Sequence, residues 1–317
     1  MLHAALPKAA YRVVMIPPPK LSLLAGYILL FSGMALVGTY TALSKPLSAA
    51  FPVFLLAWLR FAIAAVVMIP WMKRPREEAP LGPSIWRTLF AQSFFGNFLF
   101  SIFMLSGVAL TSASAAGVVM AALPPLVALL SWWLLGERAG LRVLLATGLA
   151  AASIALLSPS GKESLASSHL TGNLLILACA ACEAVYVILG KRLSHTLSPR
   201  RISALINLIG LGLMTPLGLW QVVDFDPGTV PASIWLLLIF YSIAASMIST
   251  WLWLSGLTRV PAAHSGVFTV ALPLAATAVA VGFLGEPLGW NQAVALAFAV
   301  TGIALVAWPH RANRPRL

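Results

Sequence analysis

The chain has 317 residues, of which 60% are hydrophobic and only 9% are charged. An ordinary soluble domain carries about 25% charged residues, so this composition excludes a protein whose whole surface faces water. The formal net charge is +12, yet no stripe of basic residues interleaves with aromatic ones, as nucleic-acid binding would need. Nucleic acid is therefore excluded as a partner, and the lipid bilayer is the expected surrounding.

The apolar residues fall in ten runs of about twenty, the length that crosses a hydrocarbon core about 30 Å thick. Runs this long predict helices, because a helix satisfies every backbone group internally, whereas a membrane barrel would show alternating segments of about ten residues. We expect an all-α membrane protein with ten transmembrane helices at 21–44, 50–71, 86–108, 112–135, 140–158, 169–190, 201–222, 232–255, 262–285 and 288–308.

The distribution of positive charge predicts the orientation of these spans. With the N-terminus inside, 17 of the 20 Lys and Arg lie at inner ends, whereas Lys45 and Lys162 lie in outer loops and Arg60 lies within the second span. This asymmetry predicts that both termini are cytoplasmic. The N-terminal segment 1–20 and the C-terminal tail 309–317 would then be cytoplasmic as well.

An internal repeat explains why similar stretches recur. "LLGERAG" at 134–140 returns as "FLGEPLG" at 283–289, at an offset of 149, and Tyr40 near the start of the chain matches Tyr186 at an offset of 146. We therefore expect two five-helix repeats joined by an outer linker at 159–168. The repeats would span 21–158 and 169–308.

Because each repeat has an odd number of spans, the second must enter the membrane from the opposite side. The predicted fold is thus two inverted five-helix repeats, an architecture that many secondary transporters use for alternating access. The repeat makes two symmetry-related states nearly equal in energy.

The five-helix unit, Arg60-Phe61 in the second helix and the "LGE" tripeptides after the fourth and ninth helices resemble EamA-type members of the drug/metabolite transporter superfamily. The resemblance covers about 21–308 and implies a ten-helix exporter of small metabolites at the bacterial inner membrane. Within that group the chain is most similar to aromatic amino-acid exporters, although no motif fixes that substrate. The second repeat departs from the pattern, since Ile206 stands at the position equivalent to Arg60.

The glutamates of the two "LGE" tripeptides, Glu137 and Glu286, lie between spans. We expect each to accept hydrogen bonds from backbone N–H groups at the start of the next helix, where the helix dipole also favours an anion. This structural role is favoured over substrate contact.

Two polar stripes with four-residue spacing occupy equivalent faces of helices three and eight. They are Ser93, Asn97 and Ser101, matched at an offset of 149 by Ser242, Ser246 and Thr250. Two interpretations stay open: the stripes line a pore, or they form ordinary contacts between helices. As substrate-binding candidates we take Asn97, Ser101, Ser246 and Thr250.

Glu183 is the one carboxylate well inside a predicted span, and it shares a helix face with Tyr186. An ionisable residue in that place usually faces a cavity or a partner. Three interpretations stay open for Glu183: proton coupling, binding of a substrate ammonium group, or a structural ion pair with Arg60. Glu183 and Tyr186 complete the candidate substrate site.

Prolines and glycines at equivalent places in helices four and nine are candidate hinges, because a proline inside a helix removes a backbone bond. The candidates are Gly117 and Pro124 in the first repeat and Gly266 and Pro273 in the second. Interruptions at matching positions also mark the central site of many transporters.

Other function classes lack support. No phosphate-binding loop for a primary pump is present, and no converging catalytic residues, metal ligands or cofactor motif indicate an enzyme. A passive channel is the remaining rival. Only Arg60 offers a central positive charge, so a neutral, zwitterionic or cationic substrate is favoured over a phosphorylated one. We expect export of amino acids, with cationic drugs or other metabolites as the alternative.

Overall fold

A computed structural model gives the structure of the protein. It describes residues 20–74, 81–120, 122–123, 126–127, 129–130, 141–157, 167–193, 196–260, 268 and 271–307. Within these residues the chain is helical and contains no strand, as the long apolar runs predict. Glu137, Pro124 and Gly266 lie outside the described residues.

The described part of the chain forms ten helices of eight residues or more. In chain order they are α1 (Lys20–Ala50), α2 (Val53–Val67), α3 (Pro83–Leu110), α4 (Ala113–Met120), α5 (Leu141–Leu157), α6 (Ser167–Leu193), α7 (Pro199–Val222), α8 (Ala232–Leu257), α9 (Ala271–Gly282) and α10 (Trp290–Ala307). Five of them, α1, α3, α6, α7 and α8, are long and apolar enough to cross a membrane.

The outer surface of the bundle is apolar. Val66 of α2 and Leu236 of α8 are 67% and 68% exposed, and Trp220 of α7 is exposed to a similar extent. Apolar side chains also fill the interior, where Phe61 and Tyr241 are almost fully buried. Helices that are apolar on every side suit a lipid environment, so the protein is a helical membrane protein.

Contacts between the two halves are reciprocal. Helix α1 packs against α8 and α9, and α6 packs against α3 and α4. Helix α2 packs against α7, and α5 packs against α10. When α1–α5 are matched in order to α6–α10, each of these contacts maps onto another one or onto itself.

One reciprocal contact depends on glycine. A Cβ added to Gly107 of α3 would lie 3.0 Å from the carbonyl oxygen of Gly172 in α6, and one added to Gly256 of α8 would lie 3.2 Å from that of Gly26 in α1. Gly107 and Gly256 are equivalent at the offset of 149. In a membrane, such close approach supplies the packing that the hydrophobic effect does not.

Each half also contains a π-helical segment within its third helix. The segments are Phe94–Leu99 in α3 and Ala244–Ile248 in α8, and the second begins one residue beyond the position equivalent to Phe94. A π segment makes the helix wider locally and often occurs at a functional site. These segments therefore direct attention to the middle of α3 and α8.

Helix α1 is longer than expected: it continues past residue 44, through Lys45 and Pro46, to Ala50. The Lys45 ammonium group donates hydrogen bonds to the carbonyl oxygens of Val108 at 2.8 Å and of Thr111. These carbonyls belong to the C-terminal end of α3, where a cation is favourable. Lys45 therefore lies inside a helix and caps another one, rather than lying in a loop.

Glu286 caps a helix, but a different one from the helix expected. Its Oε1 atom accepts a hydrogen bond of 2.9 Å from the backbone N–H of Ala113, which begins α4 in the other half. The capping chemistry is thus confirmed, and the helix capped through this bond is α4 of the other half. We refer to Lys45, Thr111, Ala113 and Glu286 together as the capped end of the bundle.

Candidate functional site

A cavity of about 40 Å³ lies at the centre of the bundle, between α1, α2, α3, α6 and α8. Its wall includes both π segments, through Gly96 and Asn97 in α3 and through Ala245 and Ser246 in α8. Five of the six substrate-binding candidates line it: Asn97, Glu183, Tyr186, Ser246 and Thr250.

Asn97 lines the cavity and also joins two helices. Its amide nitrogen donates to the carbonyl oxygen of Ile206 in α7 at 2.7 Å, and the Ser93 hydroxyl donates to the same oxygen at 2.6 Å. Ser93 is fully buried and is not part of the cavity wall. The stripe on α3 thus combines helix–helix contact with a cavity-lining amide.

Ser101, the third member of this stripe, lies outside the cavity wall. It is 1% exposed, donates to the carbonyl oxygen of Asn97, and accepts a hydrogen bond of 2.7 Å from Nη2 of Arg60. Ser101 therefore bonds two residues of the cavity wall, Asn97 and Arg60, and holds the guanidinium group in place without lining the cavity itself.

On α8 the polar stripe divides in the same way. Ser242 is fully buried and donates to its own helix at Leu238, whereas Ser246 and Thr250 line the cavity. The Ser246 hydroxyl is buried and has no hydrogen-bond partner among the described residues. Ser249 also lines the cavity. The π segment that precedes it changes which residues of α8 face inward.

Helix α6 contributes Glu183 and Tyr186, one turn apart. Tyr186 lies within side-chain hydrogen-bonding reach of Thr250, and its ring packs directly on Gly96, where an added Cβ would overlap the ring. Within the described residues, the Glu183 carboxylate has neither a hydrogen bond nor an ion pair, although it lines the cavity. A carboxylate without a partner in this position is available to a ligand or a proton.

Arg60 of α2 lines the same cavity and is only 4% exposed. Its guanidinium carbon lies 4.4 Å from the centre of the Phe61 ring and 5.9 Å from that of Tyr241. It forms no ion pair with Glu183, although the structure describes both residues, so the interpretation of Glu183 as a structural partner of Arg60 is wrong for this conformation. Nε of Arg60 has no hydrogen-bond partner among the described residues.

Aromatic rings complete the wall, with Tyr40, Phe100 and Trp253 beside Tyr186. The rings of Tyr40 and Tyr241 meet edge to face, with 5.8 Å between their centres and an angle of 89°. Sequence reasoning missed Arg60 and Tyr40 as cavity residues. For Tyr40 a signal was present, because it matches Tyr186 in the repeat.

Two of the four hinge candidates fall within the described residues. Gly117 lies in α4, and a Cβ added there would overlap that of Ala276 in α9. Pro273 lies in α9 and is buried. The structure thus places Gly117 at the crossing of α4 and α9.

A bundle of apolar helices that encloses a small cavity with charged, hydroxyl and aromatic side chains is the architecture of a membrane transporter. The chain belongs to the EamA-like transporter family, whose profile matches it twice, at residues 24–158 and 170–308. The two matches correspond to the two halves of the bundle.

Individual relatives agree with this assignment. The chain is 31% identical to the uncharacterized transporter YetK of Bacillus subtilis, over 88% of this chain and 86% of the relative. It is 29% identical to the aromatic amino acid exporter YddG of Ancylobacter novellus, over 88% of this chain and 93% of the relative. One crystal structure, 22% identical, superposes with a TM-score of 0.62 over 88% of this chain and 94% of that one, which shows a shared fold.

Proposed function

We propose that the protein is a secondary carrier that exports small metabolites, with amino acids bearing apolar, aromatic or small neutral side chains as the favoured class. One observation carries this proposal: the central cavity combines the carboxylate of Glu183, which no described residue bonds, with aromatic rings and hydroxyl groups from both halves. The relative named as an aromatic amino acid exporter supports the same class.

The proposed topology is ten spans in two inverted five-helix repeats, 21–158 and 169–308, in the bacterial inner membrane with both termini cytoplasmic. The reciprocal packing of α1 and α6 supports it, as do the π segments in equivalent helices and the two matches to one family profile. The excess of Lys and Arg at the expected inner ends supports the orientation.

The small size of the cavity supports alternating access as the transport mechanism. About 40 Å³ accommodates only a few water molecules, and an amino acid is much larger. A substrate therefore requires an opening of the bundle toward one side. We assign the pivot to the crossing of α4 and α9 at Gly117 and Pro273, while Pro124 and Gly266 remain candidate hinges.

Glu183 is our candidate for the coupling group. A carboxylate can bind a proton or a substrate ammonium group, but not both at once, so the two would compete for Glu183. Such competition couples outward movement of the substrate to inward movement of a proton. The carboxylate is suited to this role because no described side chain neutralises it.

The test is counterflow with purified protein in proteoliposomes. Vesicles preloaded with unlabelled phenylalanine or threonine would receive a trace of the labelled amino acid outside. We expect transient accumulation of label above equilibrium, because a carrier exchanges one substrate for another. Equilibration without overshoot would identify a channel, and no entry of label would reject amino acids as substrates.

Cationic drugs are the second candidate class. The observation that favours them is the combination of several aromatic rings with a carboxylate that no described residue bonds, because aromatic faces and anions both attract cations. Tetraphenylphosphonium added as a competitor in the counterflow assay separates the classes. Displacement by this cation and not by amino acids would favour the drug class.

A further inference from the structure

The cavity contains two opposite charges that do not neutralise each other. Arg60 on α2 and Glu183 on α6 both line it, and they form no ion pair. Charges within a membrane are costly unless they are paired or serve a ligand. Two opposite charges held apart across one small cavity are complementary to a ligand that carries both charges itself.

The guanidinium group of Arg60 is fixed in place yet incompletely bonded. Nη2 donates to Ser101, and Tyr241 lies within side-chain hydrogen-bonding reach. Nε, which is buried, has no partner among the described residues. A guanidinium group has five N–H donors and binds carboxylates in a planar, bidentate manner. The guanidinium group of Arg60 can therefore donate further hydrogen bonds to an anionic group.

Neither charge has a counterpart in the other half. At the repeat offset of 146, Ile206 is equivalent to Arg60, and Val37, which also lines the cavity, is equivalent to Glu183. The two halves thus differ in charge at the cavity, which has a positive side chain on α2 and a negative side chain on α6. A ligand with a single charge would neutralise either Arg60 or Glu183 and leave the other without a partner.

We propose that Arg60 and Glu183 anchor the substrate as a zwitterion, with Arg60 contacting its carboxylate and Glu183 its ammonium group. This inference rests on the proposed function and specifies its substrate as a free α-amino acid. Amines and carboxylates that lack the second charge would bind poorly. The side chain of the amino acid would then lie against the aromatic rings of Tyr40, Tyr186 and Trp253.

The test compares three ligands with the same isobutyl side chain: leucine, isopentylamine, which lacks the carboxylate, and 4-methylpentanoate, which lacks the ammonium group. Binding to purified protein in nanodiscs is followed by intrinsic tryptophan fluorescence, since Trp253 lines the cavity and none of the ligands absorbs. We expect leucine to bind at least about tenfold more tightly than either fragment, because each fragment loses a charge-assisted contact.

Two variants assign the anchors. Arg60→Gln should abolish the preference for leucine over isopentylamine, and Glu183→Gln should abolish the preference for leucine over 4-methylpentanoate. Arg87→Gln and Asp224→Asn remove exposed charges of the same types and should leave both preferences unchanged. If Arg60→Gln does not fold, Arg60→Lys replaces it, because lysine keeps the charge but lacks the planar, bidentate guanidinium group. The comparison of the three ligands on the wild type tests the inference without any variant.

The outcomes separate this inference from the proposed function. Equal affinity of the wild type for leucine and one fragment would overturn zwitterion anchoring while leaving amino-acid export intact. Binding of none of the three ligands would reject both. Preference for leucine in binding without any counterflow would support the anchors and reject the carrier.

Discussion

The capped end of the bundle and the central cavity each contain one cation and one carboxylate, but they use them differently. At the capped end, Lys45 bonds the last carbonyls of α3, and Glu286 bonds the first N–H of α4. In the cavity, Arg60 retains an unpartnered Nε and Glu183 has no partner among the described residues. Charges that satisfy helix ends stabilise the structure, whereas charges with unsatisfied atoms are available to a ligand.

The largest effect expected from this difference is on ligand binding by Glu183→Gln. Substrate affinity should fall about 10- to 100-fold, because a hydrogen bond to a charged group contributes about 1.5–3 kcal/mol and tenfold corresponds to about 1.4 kcal/mol. The unfolding midpoint should stay close to that of the wild type, since no described residue bonds the carboxylate. Unchanged affinity, measured by titration at matched protein amounts, would contradict the assignment.

Glu183→Gln should also change the pH dependence of substrate binding. Lowering the pH from about 7 to about 4 should weaken substrate binding to the wild type, because carboxylic acids gain a proton toward the lower end of this range and a protonated Glu183 no longer attracts an ammonium group. The other titratable or charged groups around it are Tyr40, Arg60, Cys179, Cys182, Tyr186 and Tyr241, and none of these types gains a proton in this range. Binding to Glu183→Gln should therefore be independent of pH, and a slope equal to that of the wild type would exclude Glu183 as the responsive group.

At the capped end the effect should be on stability. Lys45→Met removes the donors to Val108 and Thr111, and we expect a loss of about 2 kcal/mol in the free energy of unfolding. Substrate affinity should change less than about threefold, since Lys45 does not line the cavity. Unfolding in a denaturing detergent and the binding titration measure the two quantities on the same preparation. A large loss of affinity with normal stability would show that Lys45 serves ligand binding rather than the stability of the bundle.

Gly96→Ala tests packing without changing any charge. Alanine normally stabilises a helix by about 1 kcal/mol relative to glycine, yet here the added Cβ would overlap the Tyr186 ring. We expect a net destabilisation of about 1–2 kcal/mol, measured as a lower free energy of unfolding. The equivalent residue in the second half, Ala245, already has a Cβ, so Ala245→Gly is a suitable control. A stabilised Gly96→Ala variant would show that the ring moves aside easily.

The smallest effect is expected for Glu286→Gln. The amide oxygen can still accept a hydrogen bond from the N–H of Ala113, so this bond loses its negative charge but not its acceptor, and the free energy of unfolding should fall by about 0.5–1 kcal/mol. Neither substrate affinity nor its pH dependence should change. A change in that pH dependence, measured by titration, would mean that the capped end also takes part in coupling.

The internal repeat in the sequence predicted which side chains of the two halves occupy equivalent positions. Asn97 and Ser246, and Tyr40 and Tyr186, match at the repeat offsets and do meet at one cavity. It could not predict that Glu286 bonds Ala113, because that contact joins residues 173 positions apart. The extension of α1 through Lys45 depends likewise on carbonyl groups of another helix.

Two features of the site had no signal in the sequence. Nothing in the letters of Phe94–Leu99 or Ala244–Ile248 distinguishes a π segment from ordinary helix, although these segments decide which hydroxyl groups face inward. Arg60 was visible as a charge within a span, but its open Nε and its hydrogen bond to Ser101 depend on how α2 and α3 pack.

The π segments also bear on how the molecule arose. A π segment is an ordinary helix with one residue inserted, and here it occurs in corresponding helices of two halves that match the same family profile. The simplest history places a single insertion in a five-helix ancestor, before its gene duplicated and fused. In such an ancestor the two halves would have been alike, and Arg60 and Glu183, which have no equivalent in the other half, are what makes the present halves different.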